Sequence, residues 1–118
     1  MRDIDCSRIT DVIADLCQRA NRYLPSDLSS RLAEARQAEE SPAGQAVLDE
    51  LLANAELAAD QNWPICQDTG MAVVFADIGQ DVHITGGNLE EAINLGVARG
   101  YSEGCLRSSV VDDPLLRI

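Results

Sequence analysis

Residues 62–70 read Asn-Trp-Pro-Ile-Cys-Gln-Asp-Thr-Gly, and the arrangement of the rest of the chain follows from this stretch. It brings a thiol, a carboxamide, a carboxylate and a hydroxyl together in four consecutive residues, 66–69. Pro64 lacks a backbone N–H and favours extended geometry at the residue before it, while Gly70 accepts a positive φ. We therefore expect a loop that carries functional side chains between a helix and a strand. These residues alone leave open an ordinary turn with a buried cysteine.

Apolar residues at helical spacing predict three helices before this loop. The first is expected over about residues 7–22, and Pro25 follows its end. Ser26 is the predicted N-cap of the second helix. Ser41 and Pro42 are typical of the N-cap and the first position of a third helix, which leads directly into the loop.

The sequence after the loop predicts strands around a fourth helix. The apolar run 71–76 favours a buried strand, and the alternating residues 82–85 favour a second strand paired with it in a hairpin. A helix is predicted over 89–103, with Asn88 as its N-cap, and a last strand over 106–111. The predicted fold class is therefore α+β, with about four helices and a small β-sheet.

Composition excludes several functional classes. The 118-residue chain has a formal net charge of −11, and all nine of its basic residues are arginines, so a surface that follows nucleic-acid phosphates is not expected. It has no apolar run long enough for a membrane span and no basic-then-apolar amino terminus typical of a secretion signal. We expect a cytoplasmic protein with no nucleic-acid or membrane partner.

The cysteines do not form a recognisable zinc or disulfide pattern. The four cysteines, at positions 6, 17, 66 and 105, contain no Cys-x-x-Cys pair. Cys17 lies on the first predicted helix and Cys6 immediately before it, and both are expected to pack as small apolar residues. The single histidine, His83, falls on the polar side of its predicted strand and is expected to be exposed.

Two blocks of sequence carry a resemblance to a known family. Residues 64–70, Pro-Ile-Cys-Gln-Asp-Thr-Gly, resemble the signature of the iron–sulfur-dependent (class I) fumarate hydratases and the related L-tartrate dehydratase alpha subunits. Residues 100–115, Gly-Tyr-Ser-Glu-Gly-Cys-Leu-Arg-Ser-Ser-Val-Val-Asp-Asp-Pro-Leu, resemble the block that follows it in that family. The resemblance implies that residues 1–118 are the amino-terminal portion of a class I fumarase-type (alpha) domain whose carboxy-terminal remainder is absent.

The resemblance also implies a cofactor and a set of site residues. Members of the family hold a four-iron four-sulfur cluster with three cysteines and leave one iron without a protein ligand. Cys66 matches the first of these cysteines, and the other two are expected beyond the last residue. Gln67 and Asp68 match positions that line the substrate pocket, and Arg107 matches the arginine that binds a substrate carboxylate. Cys105 matches no ligand and is expected to pack, and no catalytic base is identified in this chain.

The function that the resemblance implies is reversible hydration of fumarate to L-malate by an iron–sulfur hydro-lyase. An L-tartrate dehydratase alpha subunit is the alternative within the family, and a non-catalytic, acidic helical interaction module is the alternative from a different class. The expected partners are a small dicarboxylate substrate, the missing carboxy-terminal half or a beta subunit, and further copies in a homo-oligomer. The chain alone is expected to be inactive.

Overall fold

A computed structural model describes residues 1–66 and 71–116 of the chain. The elements are, in chain order, β1 (Arg2–Asp5), α1 (Cys6–Arg22), α2 (Ser26–Ala38), α3 (Pro42–Gln61), β2 (Val82–Thr85) and α4 (Leu89–Glu103). The chain divides into two compact units, Met1–Gln18 together with Asp68–Ile118, and Arg19–Gln67. The predicted α+β class is confirmed. Within residues 1–66 and 71–116, no helix combines the length and the apolar character needed to cross a membrane.

The sheet of the first unit consists of two parallel strands that are far apart in sequence. In the register of β1 and β2, Arg2 lies opposite Val82 and Asp5 lies opposite Thr85. The Asp5 carboxylate then accepts a hydrogen bond from the Ser7 backbone N–H at 2.8 Å, which satisfies a free donor at the start of α1. The hydroxyl of Ser7 donates to the same carboxylate and holds the pKa of Asp5 below its usual value.

Three predictions about the strands are wrong. Over 71–76 and 106–111 the described backbone forms no strand, and β2 pairs in parallel with β1 rather than in a hairpin with residues 71–76. Val73 and Phe75 are 70% and 94% exposed. β-propensity measures how well side chains fit a packed sheet, so an apolar run forms a strand only where a partner strand is available.

Helices α1 and α4 approach each other closely at glycines. A Cβ atom at Gly96 would lie 2.7 Å from the Cβ of Ile13, and one at Gly100 would lie 2.7 Å from the carbonyl oxygen of Ala14. The buried Thr10 hydroxyl donates to the carbonyl of Ala92 at 2.9 Å across the same contact. Gly96 and Gly100, one turn apart on α4, therefore allow close packing against α1. The core that they help to close contains Ile13, Cys17 and Leu106, with Ile9, Ile93, Val97 and Tyr101 packed against it.

The second unit is built on a pair of helices, α2 and α3. α2 begins at Ser26, one position earlier than predicted, with Pro25 as its cap residue. Ser41 caps α3 as predicted, because its side chain accepts the N–H of the third helical residue. Arg36 on α2 donates two hydrogen bonds to the carboxylate of Asp49 on α3, at 2.8 and 3.1 Å. These bonds hold the pKa of Asp49 below its usual value and raise that of Arg36.

Candidate metal centre

The segment that carries the predicted ligand begins with a reversal at the end of α3. The cap residue Asn62 has φ 56° and ψ 38°, a left-handed conformation that asparagine adopts more readily than most residues. Its N–H donates to the carbonyl of Ala59 at 3.4 Å, and the N–H of Trp63 donates to the carbonyl of Ala58 at 2.9 Å. These bonds satisfy carbonyls at the helix end that have no helical partner, and they direct the chain out of the helix.

Two more hydrogen bonds fix the backbone as far as Cys66. The N–H of Ile65 donates to the carbonyl of Asn21 at 2.8 Å. The N–H of Cys66 donates to the side-chain oxygen of Asn54, in the middle of α3, at 2.9 Å. Because Pro64 has no N–H, every backbone donor from 62 to 66 is paired. The predicted loop is confirmed over these residues, and its backbone is anchored at several points.

The thiol of Cys66 itself is exposed. An ordinary buried cysteine, the alternative that the residues left open, is therefore wrong for Cys66. Because the thiol is exposed, a metal or a cluster can reach it. The form of a cysteine that ligates a metal is the thiolate. Gln67 and Asp68, predicted to bind substrate, lie outside the described residues.

Arg107 lies in the first unit, whereas Cys66 lies in the second. It is exposed and follows α4 by a short irregular segment, in which Cys105 has φ 52° and Leu106 is buried in the core. Cys105 is also exposed, so the expectation that it packs in the interior is wrong. The core contact of Leu106 fixes where the chain leaves the helix, and the exposed Arg107 follows directly after that anchored residue.

An open cleft of about 630 Å³ lies beside the same segment. Its described lining residues are apolar or carry a hydroxyl or a thiol: Ala72, Val97, Ala98, Tyr101, Ser102, Cys105, Leu106, Ser108 and Val110. The described lining contains no Asp, Glu, Lys, Arg or His side chain. The described walls therefore offer hydroxyl and thiol groups for hydrogen bonding, and Arg107 lies between two of the lining residues in sequence.

The donor set of the described residues fits one corner of an iron–sulfur cluster. Over 1–66 and 71–116, the structure groups no three His, Cys, Asp or Glu side chains around a common metal position. Cys6 and Cys17 are buried, as predicted, and burial raises the pKa of the Cys17 thiol, which disfavours the thiolate. Cys105 belongs to the first unit. Cys66 is the exposed cysteine of the second unit, and this single thiol would be one of the three ligands that the family resemblance implies.

The single histidine offers a poor candidate for a catalytic base. His83 is exposed on β2, as predicted, and its Nδ1 lies 3.5 Å from the carboxylate of Asp3 across the sheet. Both side chains are about two-thirds exposed. An exposed ion pair of this kind contributes little to stability. It lies in the first unit with the sheet, whereas Cys66 lies in the second.

One residue of the site was missed by reasoning from sequence. Asn54 is flanked by alanines within an alanine- and leucine-rich helix, where asparagine is a poorer helix former than its neighbours. That local mismatch was the available signal. Its meaning depends on the reversal at Asn62, which returns the chain to α3, and helical spacing alone does not reveal such a reversal.

Comparison with known proteins identifies the family to which this sequence belongs. The model of a family described as fumarate hydratase (Fumerase) matches residues 10–118. The putative L(+)-tartrate dehydratase subunit alpha of Methanocaldococcus jannaschii is 35% identical over 111 residues, which cover 93% of this chain and 39% of that protein. The L(+)-tartrate dehydratase subunit alpha of Escherichia coli (strain K12) is 26% identical over 106 residues, covering 90% of this chain and 35% of that protein.

These matches place the chain among sequences related to fumarate hydratase and to L(+)-tartrate dehydratase alpha subunits. The chain belongs to the fumarate hydratase (Fumerase) family. It spans between 35% and 39% of the length of these two curated relatives.

Proposed function

We propose that this chain forms the part of an iron–sulfur hydro-lyase that supplies one cluster ligand and part of a dicarboxylate pocket. The observation that carries the proposal is the exposed thiol of Cys66 on a segment whose backbone donors are all paired. A four-iron four-sulfur cluster, when bound, supplies an open iron that acts as a Lewis acid in the loss of hydroxide. The family match supports this cofactor, and Cys66 is the residue of the chain that would hold it.

The other proposed roles belong to the remaining residues that match the family motif. Arg107 would bind a substrate carboxylate through its planar pair of donors. Gln67 would donate to a carboxylate, and Asp68 would accept from a substrate hydroxyl or orient an arginine. The net charge of −11 repels a dianion at long range, so these local contacts have to provide the affinity.

The substrate proposed is a four-carbon hydroxy diacid or its dehydrated partner. The description of the family names fumarate hydratase, which favours L-malate and fumarate, whereas the relatives are named as L(+)-tartrate dehydratase alpha subunits. Fumarate hydration is our first proposal and tartrate dehydration our second. The word "alpha" in those names supports a second polypeptide, a beta subunit, as a partner, and the remaining cluster ligands would come from chain that residues 1–118 do not include.

The experiment that tests the proposal isolates the protein from its own cells. An affinity tag added before Met1 allows anaerobic purification with whatever polypeptide accompanies the chain. Iron, sulfide, hydration of fumarate and dehydration of L-tartrate are then measured. We expect iron and sulfide in comparable amounts and turnover of one of the two diacids. A preparation without iron and without either activity would support the acidic interaction module instead.

A further inference from the structure

The carboxamide of Asn54 makes a contact with Cys66 that neither the family match nor the sequence motif assigns. Its Oδ1 accepts the backbone N–H of Cys66 at 2.9 Å across twelve positions of sequence. We infer that Asn54 is a positioning residue, which holds the backbone of Cys66 so that its thiol faces outward to ligate iron. This inference rests on the proposed role of Cys66.

The geometry of residues 62–66 explains how this contact forms. α3 ends at Gln61, and Asn62 then reverses the chain, so residues 63–66 return towards the middle of the helix. Seven residues of helix from Asn54 to Gln61 span about 10 Å, and four extended residues span about 13 Å. The two lengths match well enough for the Cys66 amide to reach the side chain of Asn54.

The anchors of the segment divide into two kinds. Residues 62, 63 and 65 donate to backbone carbonyls of the helices, which any sequence provides. Cys66 alone among the bonded residues donates to a side chain, so its anchor depends on the identity of residue 54. A leucine there would fit a helix better and would leave the amide of Cys66 without this partner.

The hydrogen bond to Asn54 also affects which other acceptors the Cys66 amide can reach. Backbone amides close to a cluster often donate to its sulfur atoms and shift its reduction potential. Because the Cys66 amide already donates to Asn54, it is not available to a sulfur atom while that bond persists. Asn54 therefore influences both the direction of the thiol and the hydrogen bonding around the cluster.

The first test measures hydrogen exchange of individual amides by NMR in the 118-residue chain. Asn54→Leu should speed exchange of the Cys66 amide at least about threefold, whereas Asn54→Asp, which keeps an acceptor oxygen, should preserve its protection. The Ile65 amide serves as an internal reference, because its partner is the backbone carbonyl of Asn21 and its protection reports that the unit remains folded. Asn94→Leu, an exposed asparagine on α4, is the matched control and should change neither amide.

The second test uses the tagged protein purified anaerobically from its own cells. Asn54→Leu should lower iron and sulfide content and alter the electron paramagnetic resonance spectrum of the cluster, and Asn54→Asp should restore both. Unchanged exchange of the Cys66 amide in Asn54→Leu would overturn the inference, as would faster exchange with a normal cluster. A cluster that persists in Cys66→Ser would overturn the proposed function separately, whatever the Asn54 variants show.

Discussion

The close contact between α1 and α4 leads to our main prediction about stability, which is that Gly100→Ala destabilises the chain. A Cβ at this position would lie 2.7 Å from the carbonyl oxygen of Ala14, 3.0 Å from its Cα and 3.0 Å from the Cβ of Cys17. Two of these atoms belong to the backbone, which cannot rotate away as a side-chain tip can. Overpacking of this kind costs about 1–3 kcal/mol, and the rigid neighbours favour the upper half of that range.

The gain in helix propensity offsets part of that cost. Replacing an interior glycine by alanine contributes about 1 kcal/mol to helix stability. The expected net result is a loss of about 1–2 kcal/mol in the free energy of unfolding. Urea titration followed by far-UV circular dichroism measures it, with hydrogen exchange of the α4 amides to assign the loss to the first unit.

Gly44→Ala provides the matched control, because it places the same methyl group in a helix against a side chain instead of against backbone atoms. The nearest atoms to a Cβ at Gly44 belong to the side chain of Glu39, at 2.7 and 2.8 Å. That side chain can turn aside, although its Oε1 then loses the hydrogen bond from the Ser41 N–H at 2.8 Å, so we expect the stability of Gly44→Ala to stay within about 1 kcal/mol of the parent chain. Finding Gly100→Ala as stable as the parent chain would refute the close approach of α1 and α4.

Three further predictions concern the charged groups and the cluster. Arg107→Lys in the tagged, purified enzyme should lower kcat/KM at least about tenfold, or ~1.4 kcal/mol, with iron content unchanged, because lysine keeps the charge but loses the planar pair of donors; full activity would make Arg107 a structural residue. The lowered pKa of Asp49 should make the helix pair more stable above the unfolded-state pKa near 3.8 than at lower pH, with the contribution lost as pH falls through the folded pKa, and Asp49→Asn should remove this part of the acid dependence in urea titrations. The 118-residue chain alone, reconstituted anaerobically with iron and sulfide, should show no fumarate hydration, since a single suitable thiolate does not hold a cluster, and turnover near the rate of the purified enzyme would contradict this.

The helices could be predicted from sequence because their signals are local. The predicted bounds of α4 agree with Leu89–Glu103, and the side chain of Asn88 accepts the N–H groups of Glu90 and Glu91 at 2.9 and 3.2 Å. Ser41 and the proline after it likewise define the start of α3. Capping depends on residues within one turn of the helix end, which a single sequence displays directly.

The sheet could not be predicted because its pairing is not local. β1 has the sequence Arg-Asp-Ile-Asp, with one apolar residue, and each of its residues lies opposite a residue eighty positions later. The apolar run 71–76 gave the stronger strand pattern and forms no strand in the described structure. Period-2 patterns identify strands with one buried face, and a short charged strand in a two-stranded sheet does not show that pattern.

In the candidate site, too, one residue could be predicted from local sequence and another could not. The sequence motif singled out Cys66, and the structure shows that its thiol is exposed and its backbone anchored. Two assignments stay predictions. One is the role of Cys66 as an iron ligand, and the other is substrate contact by Gln67, Asp68 and Arg107. The contact of Asn54 needed the folded chain, because twelve residues and a left-handed reversal separate the two partners.

Substitution of the two exposed cysteines tests the assignment of Cys66 as the cluster ligand most directly. Cys66→Ser and Cys105→Ser are compared in the tagged protein, purified anaerobically, by visible absorbance and by iron and sulfide content. Both thiols are exposed, so the pair separates ligation from exposure alone. We predict that Cys66→Ser loses the cluster, because a serine hydroxyl is a much poorer iron ligand than a thiolate, and that Cys105→Ser retains it. A cluster that survives Cys66→Ser, or one that disappears in Cys105→Ser, would contradict the assignment.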